Sequence, residues 1–388
     1  MSTAPRVFFY VQHLLGVGHL KRAATLARAM QAHGLGVTIV SGGHDVPGLD
    51  VGKAELVQLA PIRAVDKFFK ILVDGNGRVI DDAFKAERRD RLREAFAARR
   101  PAALVIELFP FGRRQLAFEL LPLIEAARTA GVPVICSVRD ILVAPPKPER
   151  IEEMLDRAQR LFDLILVHGD PKLIAFDATF PLAHRISDRI RYTGYVVDKP
   201  VVAAARKTDT GEGQVIVSAG GGAVSEPLLD AVFAARPLTR FRDQPWRVLI
   251  GHNLADAKFR AYRDGAAAGF IVERARPDFT RLLGVAALSV SQGGYNTVLE
   301  VLAAGLRAVV VPYSGGLETE QTLRARLLAE RGLLQAVPEE GLTPASLAAA
   351  IERAADGPAP DLAGLDTGGG EKTAKIIAAA IVAAAVRA

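Results

Sequence analysis

The chain has 388 residues but a single cysteine, a single tryptophan and three methionines. A lone Cys136 cannot close an internal disulfide, which fits a reducing compartment or one indifferent to redox state. Long apolar runs are missing too. The most apolar late stretch, "IIAAAIVAAAV", is mostly alanine and falls well short of the ~20 residues a spanning helix needs. The opening "MSTAPRVFFYVQHLLGVGH" has no small-residue cleavage pattern, so it reads as a first core strand and not as a secretory signal. The expected location is the cytoplasm. No Asp-x-Asp stands near a strand end, and no His or Cys cluster has metal-ligand spacing, so neither a metal nor a resident cofactor is expected. Aromatics make up 6% of the chain and do not interleave with the basic residues. No nucleic-acid module is recognisable, and nucleic acid is not an expected partner.

What is present is a globular composition, half hydrophobic and 24% charged, on a chain long enough for two domains. The formal charge of +6 favours anionic partners such as phosphates or an acidic membrane surface. Much of it sits in "KAERRDRLREAFAARR", residues 85–100, with seven basic against three acidic residues. Its spacing describes a solvated helix with an apolar stripe of Phe84, Leu92 and Phe96; resting on anionic headgroups, on the inner face of the membrane, is the second reading.

Strand-like runs alternate with helical patterns: "RVFFYVQ", a helix from His19 to Gly34, "GVTIVSG", the basic helix, "AALVIELF", "QLAFELLPLIEAARTAG", "VPVICSV", "FDLILVHG" and "IRYTGYV". Such alternation implies parallel strands joined by right-handed crossovers, with helices on both faces. The pattern breaks over residues 196–213, which read as a linker, and then restarts with "VIVSAGGG", "WRVLIGH", "GFIVE", "AALSVSQGG" and "RAVVVPYS". The expected fold is α/β: two Rossmann-like, doubly wound domains facing across a cleft. They are an N-terminal acceptor-side domain over residues 1–200 and a donor domain over 201–370. A terminal helix over 371–388 is expected to pack along the outside of that cleft.

Several turns carry chemistry. In "GVGH", Gly16 and Gly18 let the backbone approach a ligand just before a helix N-terminus, and His19 lies in the first turn, where the dipole keeps the imidazole neutral. No third glycine follows and no acidic residue ends the second strand, so a nicotinamide cofactor is not indicated. In "VIVSAGGGAVSEP", Ser218 ends a strand and Gly220, Gly221 and Gly222 can cradle a diphosphate through N–H groups. Ser225 stands as a candidate N-cap with Pro227 behind it. No Walker lysine is present, which excludes a P-loop ATPase. In "SQGGYNTVLEVLAAG", Gly293 and Gly294 precede a helix whose Asn296 and Glu300 share one face with Thr297 beside them. A carboxylate there can accept both hydroxyls of a ribose. "PYSGGLETEQ" places Glu320 and Gln321 at a helix start, where they could grip sugar hydroxyls or act as caps. In "ELFPFGRRQ", Glu107 ends a strand as a candidate general base, followed by Arg113 and Arg114; "SVRDIL" adds Arg139 and Asp140. Arg113 and Arg139 are candidates for an anionic acceptor; the competing readings are a surface position for Arg113 and Arg114 and, favoured for Arg139, an internal ion pair with Asp140.

Taken together, Gly-x-Gly-His, Ser-x-Gly-Gly-Gly, Gly-Gly-Tyr-Asn-Thr-x-x-Glu and Pro-Tyr…Glu-Gln resemble the GT-B glycosyltransferases of family 28, best over residues 215–332. That family includes the peptidoglycan transferase that adds N-acetylglucosamine to a lipid-linked muramyl peptide. The resemblance implies His19 near acceptor and phosphates, Ser218 and Gly220 to Gly222 on the donor diphosphate, the backbone near Arg276 against the base, Glu300 on the ribose, and Glu320 with Gln321 on the donor sugar. It also implies inverting, metal-independent transfer from a nucleotide-sugar, with UDP favoured, and with Glu107 or His19 as base. The acceptor is left open. Two departures stand out: the first glycine loop is poorer in glycine, and Glu320 is an acid where the family has an amide. A nucleotide-sugar hydrolase or epimerase on the same fold, or a non-catalytic sugar-nucleotide-binding partner subunit, would use the same glycine turns.

Overall fold

The computed structural model describes residues 4–14, 16–65, 71–143, 147–197, 213–221, 224–276, 278–315 and 319–387. Gly222 and most of the expected linker lie outside them. Two compact units result, Met1–Val196 with Asp366–Ala388, and Val197–Leu365.

In the first unit, strands β1 (Arg6–Val11), β2 (Gly36–Ser41), β3 (Glu55–Gln58), β6 (Ala103–Glu107), β7 (Val134–Arg139), β8 (Leu164–His168) and β9 (Ile190–Tyr192) form one sheet. Its order is β3-β2-β1-β6-β7-β8-β9, and every pair is parallel. Short β4 (Arg63–Ala64) and β5 (Leu72–Val73) make a separate antiparallel pair. Helices α1 (Gly18–Ala32), α2 (Asp82–Arg99), α3 (Ala117–Thr129) and α4 (Pro148–Leu161) cover the sheet. The central strands are near-continuous apolar runs because both faces are covered: all five residues of β6 are buried. The strand order reverses between β1 and β6, so the carboxyl ends of those parallel strands flank the switch point where ligands bind in such sheets.

The basic helix forms as α2, capped by Asp81, whose side chain accepts from Phe84 N at 2.8 Å. Leu92 and Phe96 are buried, with Phe96 edge-on to Phe8 at 5.4 Å. One of its cations is not a surface charge at all. Arg88, spaced at 84, 88, 92 and 96 along the apolar stripe, is 2% exposed. Its Nε donates to Glu119 Oε2 on α3 at 2.7 Å, and Nη2 donates to Gln12 Oε1 at 2.8 Å. It also donates to the carbonyls of Gly42 and Ala60, while Tyr10 donates its hydroxyl to Glu119. The reading of residues 85–100 as uniformly solvated or membrane-facing therefore fails at Arg88, because a guanidinium on a buried stripe must be paired in the core.

The second unit holds strands β10 (Val215–Ser218), β11 (Trp246–Ile250), β12 (Phe270–Arg274), β13 (Leu288–Gln292), β14 (Ala308–Val311) and β15 (Gln335–Ala336). They are parallel, in the order β12-β11-β10-β13-β14-β15. The connecting helices are α5 (Glu226–Ala235), α6 (Asp256–Asp264), α7 (Phe279–Leu283), α8 (Tyr295–Ala303), α9 (Glu320–Glu330) and α10 (Pro344–Asp356). This is the same nucleotide-binding order as the first sheet, with its reversal between β10 and β13. Ser225 does occupy the N-cap position of α5, but its side chain makes no capping hydrogen bond.

The last helix, α11 (Gly369–Arg387), belongs to the first unit. The return begins at Asp366, where Tyr195 N donates to Asp366 O at 2.7 Å and Gly369 N donates to Tyr195 O at 3.0 Å. Ala374 and Ile377 then join the apolar cluster that Leu20, Ala23, Ala27 and Met30 of α1 form on the sheet.

Candidate functional site

At the first switch point, sequence-distant polar groups converge. His19 lies in the first turn of α1, and its Nδ1 is 2.9 Å from Glu107 Oε1 at the end of β6. Arg22, one turn further along α1, donates to the same carboxylate oxygen. Ser137 on β7 donates to Glu107 Oε2 at 2.6 Å and lies 2.9 Å from His168 Nε2 at the end of β8. Parallel register brings them together, because Glu107 pairs with Ser137 across the strands.

Glu107 is 2% exposed. Burial alone would raise its pKa, but the charge of Arg22 and the donors His19 and Ser137 outweigh that and hold it well below the usual carboxylate range. Its carboxylate can only accept, so His19 donates through Nδ1 and keeps its lone pair on Nε2. Burial pushes the His19 pKa down to about 3 against the opposing pull of Glu107. Desolvation, more than the helix dipole, keeps this ring neutral. The pair therefore holds an ionised Glu107 against a neutral His19 whose Nε2 keeps its lone pair.

Two candidate acceptor-side cations lie at the same edge. Arg139 ends β7, and Arg113 donates from Nε to Gln12 O at 3.0 Å just past β1. Burial, followed by the like charge of Arg139, lowers Arg113 to about 10. Arg113 holds φ 61 and Leu108 φ 69, two left-handed non-glycine residues in one short turn. Asp140 is buried and accepts from Tyr195 Oη at 3.0 Å.

In the second unit, Ser218 ends β10 in register with Ser291 of β13, so the Gly220–Gly221 turn and the Gly293–Gly294 turn leave neighbouring strands side by side. Gly220 needs its glycine, with φ +56. Gly251 lies behind this turn: a Cβ there would meet Gly221 C at 2.2 Å. Gly294 is the N-cap of α8 and has no side chain to cap it, a geometry suited to an anion. Asn296, Thr297 and Glu300 are half-buried in the first two turns of α8.

The other two donor-side expectations are tied up in ion pairs. Glu320 is 2% exposed and pairs with Arg324 at 2.7 Å, whose guanidinium lies over the Tyr295 ring. Gln321, beside it, accepts from Tyr313 N at 3.2 Å and is half-buried, so it is the more accessible of the two. Arg276 is bidentate to Asp278 at 2.8 and 2.7 Å, which raises its pKa and ties up its side chain.

Sequence reasoning missed Arg22, Ser137, His168 and Gly251. The signals were there in part: a histidine closes the strand "FDLILVHG", and a glycine closes "WRVLIG". Arg22 gave none, since an arginine one turn into a helix reads as solvent-facing.

Residues 216–363 match the family model of the glycosyltransferase family 28 C-terminal domain. The UDP-N-acetylglucosamine–N-acetylmuramyl-(pentapeptide) pyrophosphoryl-undecaprenol N-acetylglucosamine transferase of Ectopseudomonas mendocina is 28% identical over 230 residues, which are 58% of this chain and 58% of that one. Its namesake from Ralstonia nicotianae is 32% identical over 186 residues, 46% of this chain and 49% of that one. The match thus spans about half the length of these relatives. Among solved structures, spinosyn rhamnosyltransferase SpnG superposes with a TM-score of 0.60 at 20% identity, covering 98% of both chains; a second structure of it holds thymidine diphosphate. Residues 216–363 are thus similar to the C-terminal domain of glycosyltransferase family 28, and the chain as a whole has the fold of SpnG.

Proposed function

We propose that this chain is an inverting, metal-independent glycosyltransferase that moves a hexose-type sugar from a nucleotide-sugar, with UDP as the favoured nucleotide, to an acceptor hydroxyl. The observation that carries the proposal is the His19–Glu107 pair at a switch point, 2.9 Å apart, with the His19 lone pair on Nε2. His19 takes the acceptor's proton at Nε2. The acceptor oxygen attacks the anomeric carbon, and the bond from that carbon to the diphosphate breaks with its electrons leaving on the nucleotide diphosphate. The imidazolium formed lies against the Glu107 carboxylate, which stays ionised throughout.

The donor side of the proposal rests on the second unit. Backbone N–H groups of the Gly220–Gly221 turn and the N-terminus of α8 receive the departing diphosphate, a role a metal ion fills in other transferases. Glu300 accepts the ribose hydroxyls, Gln321 with Glu320 faces the sugar, and the Arg276 backbone meets the base. UDP is favoured by the donor that the curated relatives' names carry. Arg113 and Arg139 suit an acceptor bearing an anionic group. The names of those relatives support a lipid-linked acceptor, and the exposed Arg91 and Arg93 of α2 with Arg100 at its C-cap support peripheral contact with an anionic inner membrane face.

Calorimetric binding of UDP, GDP and dTDP to wild type and Glu300→Ala tests the donor half. Selective UDP binding that the variant weakens by ~1–3 kcal/mol, as for a lost hydrogen bond to a charged group, is the expected result. Equal binding by both proteins would remove Glu300 from the site.

A further inference from the structure

The buried groups behind Glu107 have no part in the proposed reaction so far, yet they form one connected chain. Ser137 is 1% exposed, and His168 and Thr193 are fully buried. Apolar residues would fill those places without the desolvation a histidine and two hydroxyls impose. Hydrogen-bond logic orders the chain. Ser137 has a single proton, and Glu107 Oε2 at 2.6 Å takes it. Ser137 Oγ must then accept at 2.9 Å from His168, which puts the His168 proton on Nε2. That leaves His168 Nδ1 as the acceptor, and Thr193 Oγ1 lies 2.9 Å from it. Two protons thus point toward the carboxylate, His168 to Ser137 and Ser137 to Glu107, while the Thr193 hydroxyl just past β9 lies between His168 Nδ1 and Gly194 O, the latter at 3.0 Å.

We propose that Ser137 and His168 are positioning residues for His19: through Glu107 they fix which nitrogen of His19 carries its proton and so which one faces outward as the base. This rests on the reading of His19 as the base, although the ordering of the chain stands apart from it. Glu107 Oε2 is occupied by Ser137, so only Oε1 is available to His19 Nδ1, together with Arg22. Remove Ser137 or His168 and the carboxylate can rotate or share differently, and it becomes a stronger partner for a protonated ring. The charged and titratable groups around the pair are Glu107 from β6, Arg22 from α1 itself and Arg113 from the turn after β6; those acting on His168 are Arg22 and Glu107. Burial keeps both rings neutral, each at about 3.

The test is two-bond 15N–1H correlation of the full chain labelled at its seven histidines, which reads tautomer and titration ring by ring. Wild type should show His19 protonated at Nδ1 and His168 at Nε2. Ser137→Ala and His168→Phe should each raise the His19 midpoint by about one unit, the size of one lost hydrogen bond to a charged group. His168→Gln, whose amide can donate from near the Nε2 position, should return His19 to its wild-type behaviour. On a UDP-sugar that wild type turns over, the first two variants should lose about tenfold or more in kcat with KM little changed, and His168→Gln should recover most of it. Where His168→Phe fails to fold, Ser137→Ala and Thr193→Val carry the comparison. A His168 protonated at Nδ1 in wild type, or a His19 tautomer and midpoint unmoved in Ser137→Ala, would overturn the proposal. Unchanged tautomers in wild type with no turnover of any UDP-sugar would instead count against the transferase reading alone.

Discussion

Replacing Arg88 by methionine separates a core cation from a surface one more sharply than any change to the exposed arginines of α2. Methionine keeps the length of the stem on the stripe between Phe84 and Leu92 but removes the guanidinium. Four acceptors then lose a donor: the Glu119 carboxylate, Gln12 Oε1 and the carbonyls of Gly42 and Ala60. Glu119 is the group that decides the magnitude. Its side chain is fully buried, and the Tyr10 hydroxyl would be left as its donor. Stranding one member of a buried pair typically costs about 3–5 kcal/mol, several times the ~0–1 kcal/mol typical of exposed pairs. With a urea slope of about 2–3 kcal/mol per molar, that becomes a midpoint lowered by roughly 1–2 M. Far-UV circular dichroism follows the whole chain, while the single tryptophan, Trp246, reports on the second unit alone, so loss in the first unit can be assigned. Adding Glu119→Gln removes the stranded charge and should return part of the loss. A change below about 1 kcal/mol in Arg88→Met, no larger than that of Arg93→Met, would refute the reasoning.

The other predictions concern protons, backbone and charge. Between a folded value of about 3 and the ordinary 6.5, His19 and His168 are neutral when folded and protonated when unfolded. The unfolded chain then binds more protons, so stability present above pH 6.5 is lost on acidification. At pH 5.5 the two rings together should cost about 3 kcal/mol relative to neutral pH, and thermal unfolding from pH 7.5 to 5 should lose part of its slope in His168→Gln. Gly251→Ala places a Cβ 2.2 Å from Gly221 C and should weaken nucleotide diphosphate binding at least tenfold; unchanged calorimetric affinity would detach that turn from the donor site. Turnover of a UDP-sugar should survive EDTA, and abolished turnover restored by a divalent cation would end the metal-independent reading. Replacing Arg91, Arg93 and Arg100 together should reduce sedimentation with phosphatidylglycerol vesicles, whereas equal sedimentation would end the membrane reading.

The sheet was legible because burial writes itself into strands as unbroken apolar runs. "RVFFYV", "ALVIE" and "LILVH" could hardly be anything but central strands, and glycines at their ends mark turns. His19 and Glu107 were legible for the same reason: Glu107 ends one strand, His19 opens the helix after another, and all parallel strands deliver their carboxyl ends to one edge. Their roles were not. That Glu107 stays ionised depends on Arg22 and Ser137, and neither spacing nor residue type shows that an arginine three positions beyond a histidine shares its carboxylate. Arg88 was misread on similar grounds. A cation among seven reads as surface until a buried glutamate and tyrosine on two other elements are found facing it. Glu320 shows the limit from the other side, since its partner Arg324 was one helical turn away and still did not reveal that both are buried.

The two sheets share a strand order, yet their switch points are furnished differently, and the difference has a chemical reason. The first is lined with titratable side chains, ordered so that one imidazole nitrogen keeps its lone pair. The second offers mainly backbone: Gly220, Gly221, Gly293 and Gly294, and the uncapped start of α8. Accepting a proton needs a group whose basicity can be set, and burial with charged neighbours does that only for side chains. Receiving a diphosphate as it departs needs fixed donors that neither titrate nor move, which backbone N–H groups at a turn and a helix end supply without a cation that would have to be neutralised when the site is empty. Arginines are correspondingly placed where a permanent charge has a permanent partner, Arg22 on Glu107 and Arg324 on Glu320. One strand order used twice can thus carry two unlike sets of groups, because the fold dictates only where the turns are and the sequence decides whether a turn presents an imidazole or an amide.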